Sequence, residues 1–97
     1  MLHVEDSDRV RILRLDRPDS LNALDEMHYD ALAEALHEAA NSSDVAVVVL
    51  TGTGRAFCAG TDLDDMARRN DPEAGFIPGR YGFGGFLDEL ASFEKPL

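Results

Sequence analysis

Apolar residues fall along this chain in patterns that change period from one segment to the next. Residues 2–4 and Val10–Leu15 are short aliphatic runs separated by the polar stretch Glu5-Asp6-Ser7-Asp8-Arg9. That arrangement predicts two strands of a hairpin with the polar stretch as its turn. In the second run Val10 and Ile12 share one face while Leu13 and Leu15 share the other. Arg11 and Arg14 interrupt, and Pro18 ends the strand because proline cannot donate to a ladder. From Glu26 to about residue 40 the period lengthens to that of a helix. Asp25 is placed to cap it and Glu26 sits in its electropositive first turn. Leu24, Met27, Ala31, Ala35 and Leu36 are expected to form the apolar stripe. Glu34, His37 and Glu38 then fall on the wet side, and Asn41-Ser42-Ser43-Asp44 stops the helix.

The run Val45-Ala46-Val47-Val48-Val49-Leu50 is continuous, β-branched and bounded by turn formers. It predicts a strand covered on both faces, of the parallel type. Strand, helix, strand in that order predicts a right-handed crossover and an α/β class. Thr51-Gly52-Thr53-Gly54 then reads as a loop, residues 55–59 as a short extended piece, and a brief helix starts near Asp62 and breaks at Arg68-Arg69-Asn70-Asp71-Pro72. Residues 73–86 turn to glycine, proline and aromatics, the composition of a long loop suited to a lid or pocket wall. Residues 87–94 are expected to be helical. A small free-standing domain and the first part of a larger one both fit 97 residues, although few later elements exist to cover the third strand.

Charge narrows the partners. Nineteen acidic against nine basic residues give a formal net charge of −10. Such a surface repels nucleic-acid backbones and has no electrostatic hold on an anionic membrane. The single cysteine, Cys58, allows no internal disulfide, and the first six residues have neither a basic patch nor an apolar run. A cytoplasmic protein without a leader or membrane span is the expectation.

Most familiar motifs fail on inspection. Gly52-Thr53-Gly54 follows a strand, but the third glycine of a dinucleotide fingerprint would fall at Phe57. Gly54 to Thr61 lacks the Gly-Lys-Ser/Thr ending of a phosphate loop. Asp62, Asp64 and Asp65 lack the alternation and central glycine of a calcium loop, and no metal site is expected. His3, His28 and His37 read as solvated polar residues. Cys58, between Phe57 and Ala59, reads as an inert small core residue. What remains is the bend Ala59-Gly60-Thr61 leading into a helix at Asp62. Small residues there let a ligand approach the backbone, and free amides at such a bend can hold a developing oxyanion. The same residues also make an ordinary tight turn capped by Asp62.

Three blocks then carry a family resemblance. Leu15-Asp16-Arg17-Pro18 with Leu21-Asn22-Ala23-Leu24, the stretch from Val45 to Gly54, and Arg55-Ala56-Phe57-Cys58-Ala59-Gly60-Thr61-Asp62-Leu63 resemble, in order, the early segments of crotonase-type enoyl-CoA hydratases and isomerases. The resemblance implies the N-terminal part of the crotonase (ClpP-like) spiral of strand–strand–helix units. It implies that the backbone N–H of Thr61 is one oxyanion-hole donor to a thioester carbonyl, with the Thr61 hydroxyl narrowing the acyl pocket. Leu21, Ala23, Leu24, Ala59, Gly60, Asp62 and Leu63 would line the coenzyme A channel, while Arg17, Pro18 and Asn22 brace it. Coenzyme A enters only as part of the substrate, and no permanently bound cofactor is expected. Hydration of an enoyl-CoA is the implied reaction, with isomerisation, thioester hydrolysis or a non-catalytic packing role as alternatives.

The family assembles as trimers or paired trimers, so a homo-oligomer is implied. Residues 1–97 are expected to stop before the glycine-rich segment that carries the second donor. The matching acid–base carboxylates would also lie further on, so the chain alone should be close to inactive. A missing oxyanion donor costs about a hundred- to a thousandfold in rate, and missing acid–base groups cost about another hundredfold.

Overall fold

The computed structural model describes residues 2–97; Met1, the first residue of the segment read above as carrying no leader, lies outside them. Strand β1 (Leu2–Ser7) pairs antiparallel with β2 (Val10–Leu15), from Leu2↔Leu15 to Ser7↔Val10. The first strand is longer than its hydropathy predicts. Glu5, Asp6 and Ser7 stay in the ladder, and Asp6 lies opposite Arg11, whose guanidinium grips it at 2.8 and 2.9 Å. Opposite charges facing each other across a pair support a strand that apolar content alone would not. The reversal is left to Asp8 and Arg9, with φ of +50° and +66°. Positive φ at both central residues matches the twist of the flanking strands.

Helix α1 (Glu26–Asn41) follows and leads into β3 (Val47–Gly52), which runs parallel to β2 from Val10↔Val47 to Leu15↔Gly52. The sheet order is β1-β2-β3, so the crossover passes through α1. Asp25 caps α1 as expected, its carboxylate accepting from the His28 N–H at 2.9 Å. The buried face of α1 is not the expected stripe. Met27 is 79% exposed and Ala31 and Ala35 are half-buried, whereas Tyr29, Leu32, Ala33, Leu36 and Ala39 are buried. The helix is rotated because the tyrosine ring carries more apolar area than the methionine and has a polar tip to satisfy inside. Leu13, Leu36, Ala39, Val45 and Val48 form one packed cluster, and Leu15, Leu24, Tyr29 and Leu32 form a second.

Strand β3 begins and ends two residues later than its hydropathy suggests. Val45 is buried before the strand starts, while Thr51 and Gly52 belong to the ladder. The expectation that both faces are covered does not hold within the described residues. Val48 is buried under α1, but Val49 on the opposite face is 41% exposed. Residues 55–59 are irregular rather than extended. Helix α2 (Leu63–Arg69) is brief, as expected. Helix α3 (Gly82–Ser92) starts five residues before its predicted position, and its first residue shortens the glycine-rich loop. Among the described residues no helix is long and apolar enough to cross a membrane.

Candidate active site

The site is built from two loops that the sheet brings together: residues 16–25 after β2 and residues 53–62 after β3. Pro18–Ser20 makes one 3-10 turn, then Leu21 and Asn22 both take left-handed backbone, φ +52° and +57°. Asparagine tolerates that region, whereas for leucine it costs about 1–2 kcal/mol. The amides of Leu21 and Asn22 bond back to Pro18 O (3.1 Å) and Arg17 O (2.9 Å), which offsets the cost. The Asn22 side chain, 1% exposed, then does the joining. Its oxygen accepts from the Arg17 N–H (2.7 Å), and its amide donates to Thr53 O and Ala56 O (both 2.9 Å). The bracing role implied for Arg17 also has a geometric basis. Its guanidinium donates to Ala23 O (3.0 Å) and pairs with Asp62 at 3.1 Å, bridging the loops a second time.

The bend at residues 59–61 is held by main chain. Ala59 N–H donates to Leu21 O (3.0 Å), Leu24 N–H to Gly60 O (2.8 Å), and Asp62 N–H to Leu24 O (2.8 Å), a parallel bridge between Leu24 and Thr61. Gly60 N–H points to Cys58 Sγ at 3.4 Å. Of the four successive amides from 59 to 62, only the Thr61 N–H has no acceptor among the described residues. Its direction follows from peptide geometry. In a planar trans peptide the C=O and N–H point opposite ways. Gly60 C=O is fixed toward Leu24, so the Thr61 N–H points away from it. Gly60 has φ +102°, and a Cβ built there would meet nothing within 4 Å. The bend therefore uses glycine for its dihedral angle and leaves open space above it.

Thr61 borders two clefts. One, about 470 Å³, is lined by Ser20, Ala23, Ala59, Thr61, Asp62, Leu63 and Asp64. The other, about 220 Å³, is lined by Thr61, Met66, Arg69, Asn70 and Phe83. Ala23, Ala59, Asp62 and Leu63 thus share one cleft with Thr61. Leu24 does not, since its side chain lies in the core and its main chain aims the bend. Leu21 reaches the site through its carbonyl. Cys58 is half-buried against the Leu15–Leu24 cluster.

Two features escape a reading by local pattern. The Thr61 hydroxyl is bonded to the phenol of Tyr29, Oγ1 to Oη 2.5 Å, across 32 positions of sequence. The second is a charged clamp behind the site. Glu26, 8% exposed, accepts from Arg69 (2.7 Å), Gly79 N–H (3.0 Å) and Phe83 N–H (3.1 Å). Asp30, one turn along α1, accepts from the amides of Tyr81 (2.5 Å) and Gly82 (3.0 Å). Tyr81 offers α3 no side-chain cap, so α1 carboxylates supply it from outside, which explains the early helix start. Arg69 also pairs with Asp65 (3.0 Å) and lies over the rings of Tyr29, Phe76 and Phe83, at 5.0 to 5.8 Å. The three histidines are each engaged by an acidic neighbour, His3 with Asp16, His28 with Asp25 and His37 with Glu89.

The Asp62 carboxyl is held below its ordinary range, first by the Asp65 N–H that it accepts as cap of α2, with Arg17 adding to this against an opposing desolvation. A carboxyl depressed by folding stabilises the fold above its unfolded value, near 3.8, and loses that contribution as pH falls through the lower folded value. Acidification from pH 5 toward 2 is therefore expected to lower the urea midpoint. Asp62→Asn should flatten part of that decline, and an unchanged slope in the variant would contradict the assignment.

Comparison with known proteins decides the family. The profile of the enoyl-CoA hydratase/isomerase family matches residues 5–96. The chain belongs to that family. Its fold is the crotonase fold, seen in a solved enoyl-CoA hydratase of Mycobacterium marinum at a TM-score of 0.89 and 54% identity, over 99% of this chain and 45% of that one. Among curated proteins, the 1,2-epoxyphenylacetyl-CoA isomerase of Escherichia coli is 39% identical over 98% of this chain and 36% of its own length. A probable enoyl-CoA hydratase of Rhodobacter capsulatus is 42% identical over 68% of this chain and 25% of its own length. The chain thus spans from a quarter to just over a third of the length of these two curated relatives, both named for acyl-CoA chemistry.

Proposed function

We propose that this chain contributes one oxyanion donor, the Thr61 backbone N–H, to a site that processes acyl-CoA thioesters, in the first instance by hydrating an enoyl-CoA. The observation that carries the reading is the amide itself: it points away from the chain that anchors its peptide, beside two clefts, while its neighbours donate within the protein. A thioester carbonyl bonded to it would be polarised, and the enolate oxygen formed on attack at the β-carbon would bond more strongly than the carbonyl it replaces. Ala23, Ala59, Asp62 and Leu63 line the path assigned to the pantetheine arm, with Gly60 and the main chain of Leu21 and Leu24 shaping it. Coenzyme A is here part of the substrate, not a resident group.

Asp62 is engaged by Arg17 and by the α2 amide, so it is poorly placed as a free base. We assign water delivery and the second donor to the larger part of the catalytic domain found in the relatives, and a trimeric or paired-trimeric assembly in the cytoplasm to the whole. The same donor serves isomerisation or thioester hydrolysis, since each passes through a charged carbonyl oxygen. A packing role without turnover draws on exposed Met27, Leu63 and Ile77.

The test is an amide NMR titration of the chain with acetyl-CoA. The Thr61 resonance is expected to move downfield, with smaller changes at Ala23, Ala59 and Leu63. Saturating acetyl-CoA that leaves residues 59–63 unperturbed would remove the basis of the proposal.

A further inference from the structure

We infer that Tyr29 is a positioning residue for the oxyanion donor: by holding the Thr61 hydroxyl, it keeps the space beside the Thr61 N–H clear for a carbonyl oxygen. The inference rests on reading Thr61 as that donor and adds a residue to the site. The peptide plane is set by Leu24, but nothing in the bend fixes the Thr61 side chain. A threonine hydroxyl next to free amides readily bonds to nearby backbone, and the amides opening α2 lie within its reach in sequence. It can also rotate toward the cleft and occupy the place of the substrate oxygen. The phenol removes both choices, because Oη takes Oγ1 at 2.5 Å.

Tyr29 is suited to this. It is 4% exposed, packed edge-on against Phe83 at 4.9 Å between ring centres, and tilted against Phe86 at 5.4 Å. Arg69 lies over its ring, itself held by Glu26 and Asp65. A phenol locked this way presents its oxygen at one point, so the hydroxyl bonded to it has one rotamer. The linkage also accounts for a threonine at a position where only the backbone is needed.

The experiment compares the affinity of the chain for acetyl-CoA with that for S-ethyl-CoA, a thioether of similar size without the carbonyl. The ratio isolates the bond to the oxygen. In the unaltered chain it should be about fivefold or more, the scale of one net hydrogen bond. Tyr29→Phe keeps the ring and frees the hydroxyl, and should bring the ratio near one. The double variant Tyr29→Phe with Thr61→Val has no hydroxyl to stray, and should restore it. Lost packing at Tyr29 would not be repaired by a second substitution.

A ratio near one in the unaltered chain would overturn both the donor reading and this inference. A normal ratio that survives Tyr29→Phe, or one that Thr61→Val fails to restore, would overturn the inference alone. A measurement on the unaltered chain guards against a variant that does not fold. The Thr61 Hα–Hβ coupling should report a single χ1 rotamer with the hydroxyl toward Tyr29, and rotamer averaging would refute the proposal.

Discussion

Gly52→Ala is expected to destabilise the chain by about 2–4 kcal/mol and to abolish acetyl-CoA binding. Gly52 closes β3 opposite Leu15, and a Cβ built on it lands against Phe57 O, 2.7 Å from the Asn22 amide nitrogen and 2.8 Å from Ala56 O. Two of these three are backbone atoms of the loop that leads into the bend, so no side-chain rotation relieves the clash. Overpacking of this kind costs about 1–3 kcal/mol. Moving Asn22 aside also breaks its bonds to Thr53 O and Ala56 O, each worth about 1 kcal/mol. The gain from restricting the unfolded chain, about 0.4–1 kcal/mol, does not offset this. Urea unfolding of the variant checks the loss. A midpoint unchanged from the unaltered chain would mean that the loops are not joined as described.

The second large effect concerns the clamp. Glu26→Ala should cost about 2–4 kcal/mol and release residues 79–83 before the rest of the chain unfolds. The carboxylate serves three donors at once, and removing it deprives a half-buried guanidinium of one partner, although Asp65 still faces Arg69. Two α3-side amides, Gly79 and Phe83, lose their acceptor as well. Amide hydrogen exchange at Gly79 and at residues 83–86 should then quicken by more than that of the sheet. Glu26→Gln, which keeps one acceptor oxygen without the charge, should fall between. Equal protection of α3 in all three proteins would refute the capping role. Because Phe83 walls the smaller cleft beside Thr61, the same variant should widen that cleft.

What was legible in the chain follows from what is local. The hairpin, the crossover helix and the parallel strand announce themselves through period and β-branching, and the bend at 59–61 through its small residues. The stripe on α1 differs from the one its periodicity predicts because Met27 and Tyr29 are both large and apolar by count. Only the partners Thr61, Phe83 and Phe86 decide which turns inward. Helix α3 starts earlier than local pattern predicts because Gly82, Gly84 and Gly85 argue against helix. Its start depends on Glu26 and Asp30, more than fifty positions away. Thr51 and Gly52 look like turn formers, yet pairing with Arg14 and Leu15 keeps them in the strand. Long-range carboxylates and cross-chain hydroxyls leave no periodic trace.

The bridge between Leu24 and Thr61 separates aim from fit. Since backbone alone orients the Thr61 N–H, substitution of the Thr61 side chain can reshape the clefts beside it while the bearing of the amide stays put. On the proposed reading, the fit to an acyl group can then change without disturbing the grip on its carbonyl. A change that deletes the Leu24 N–H, as proline would, touches the aim itself.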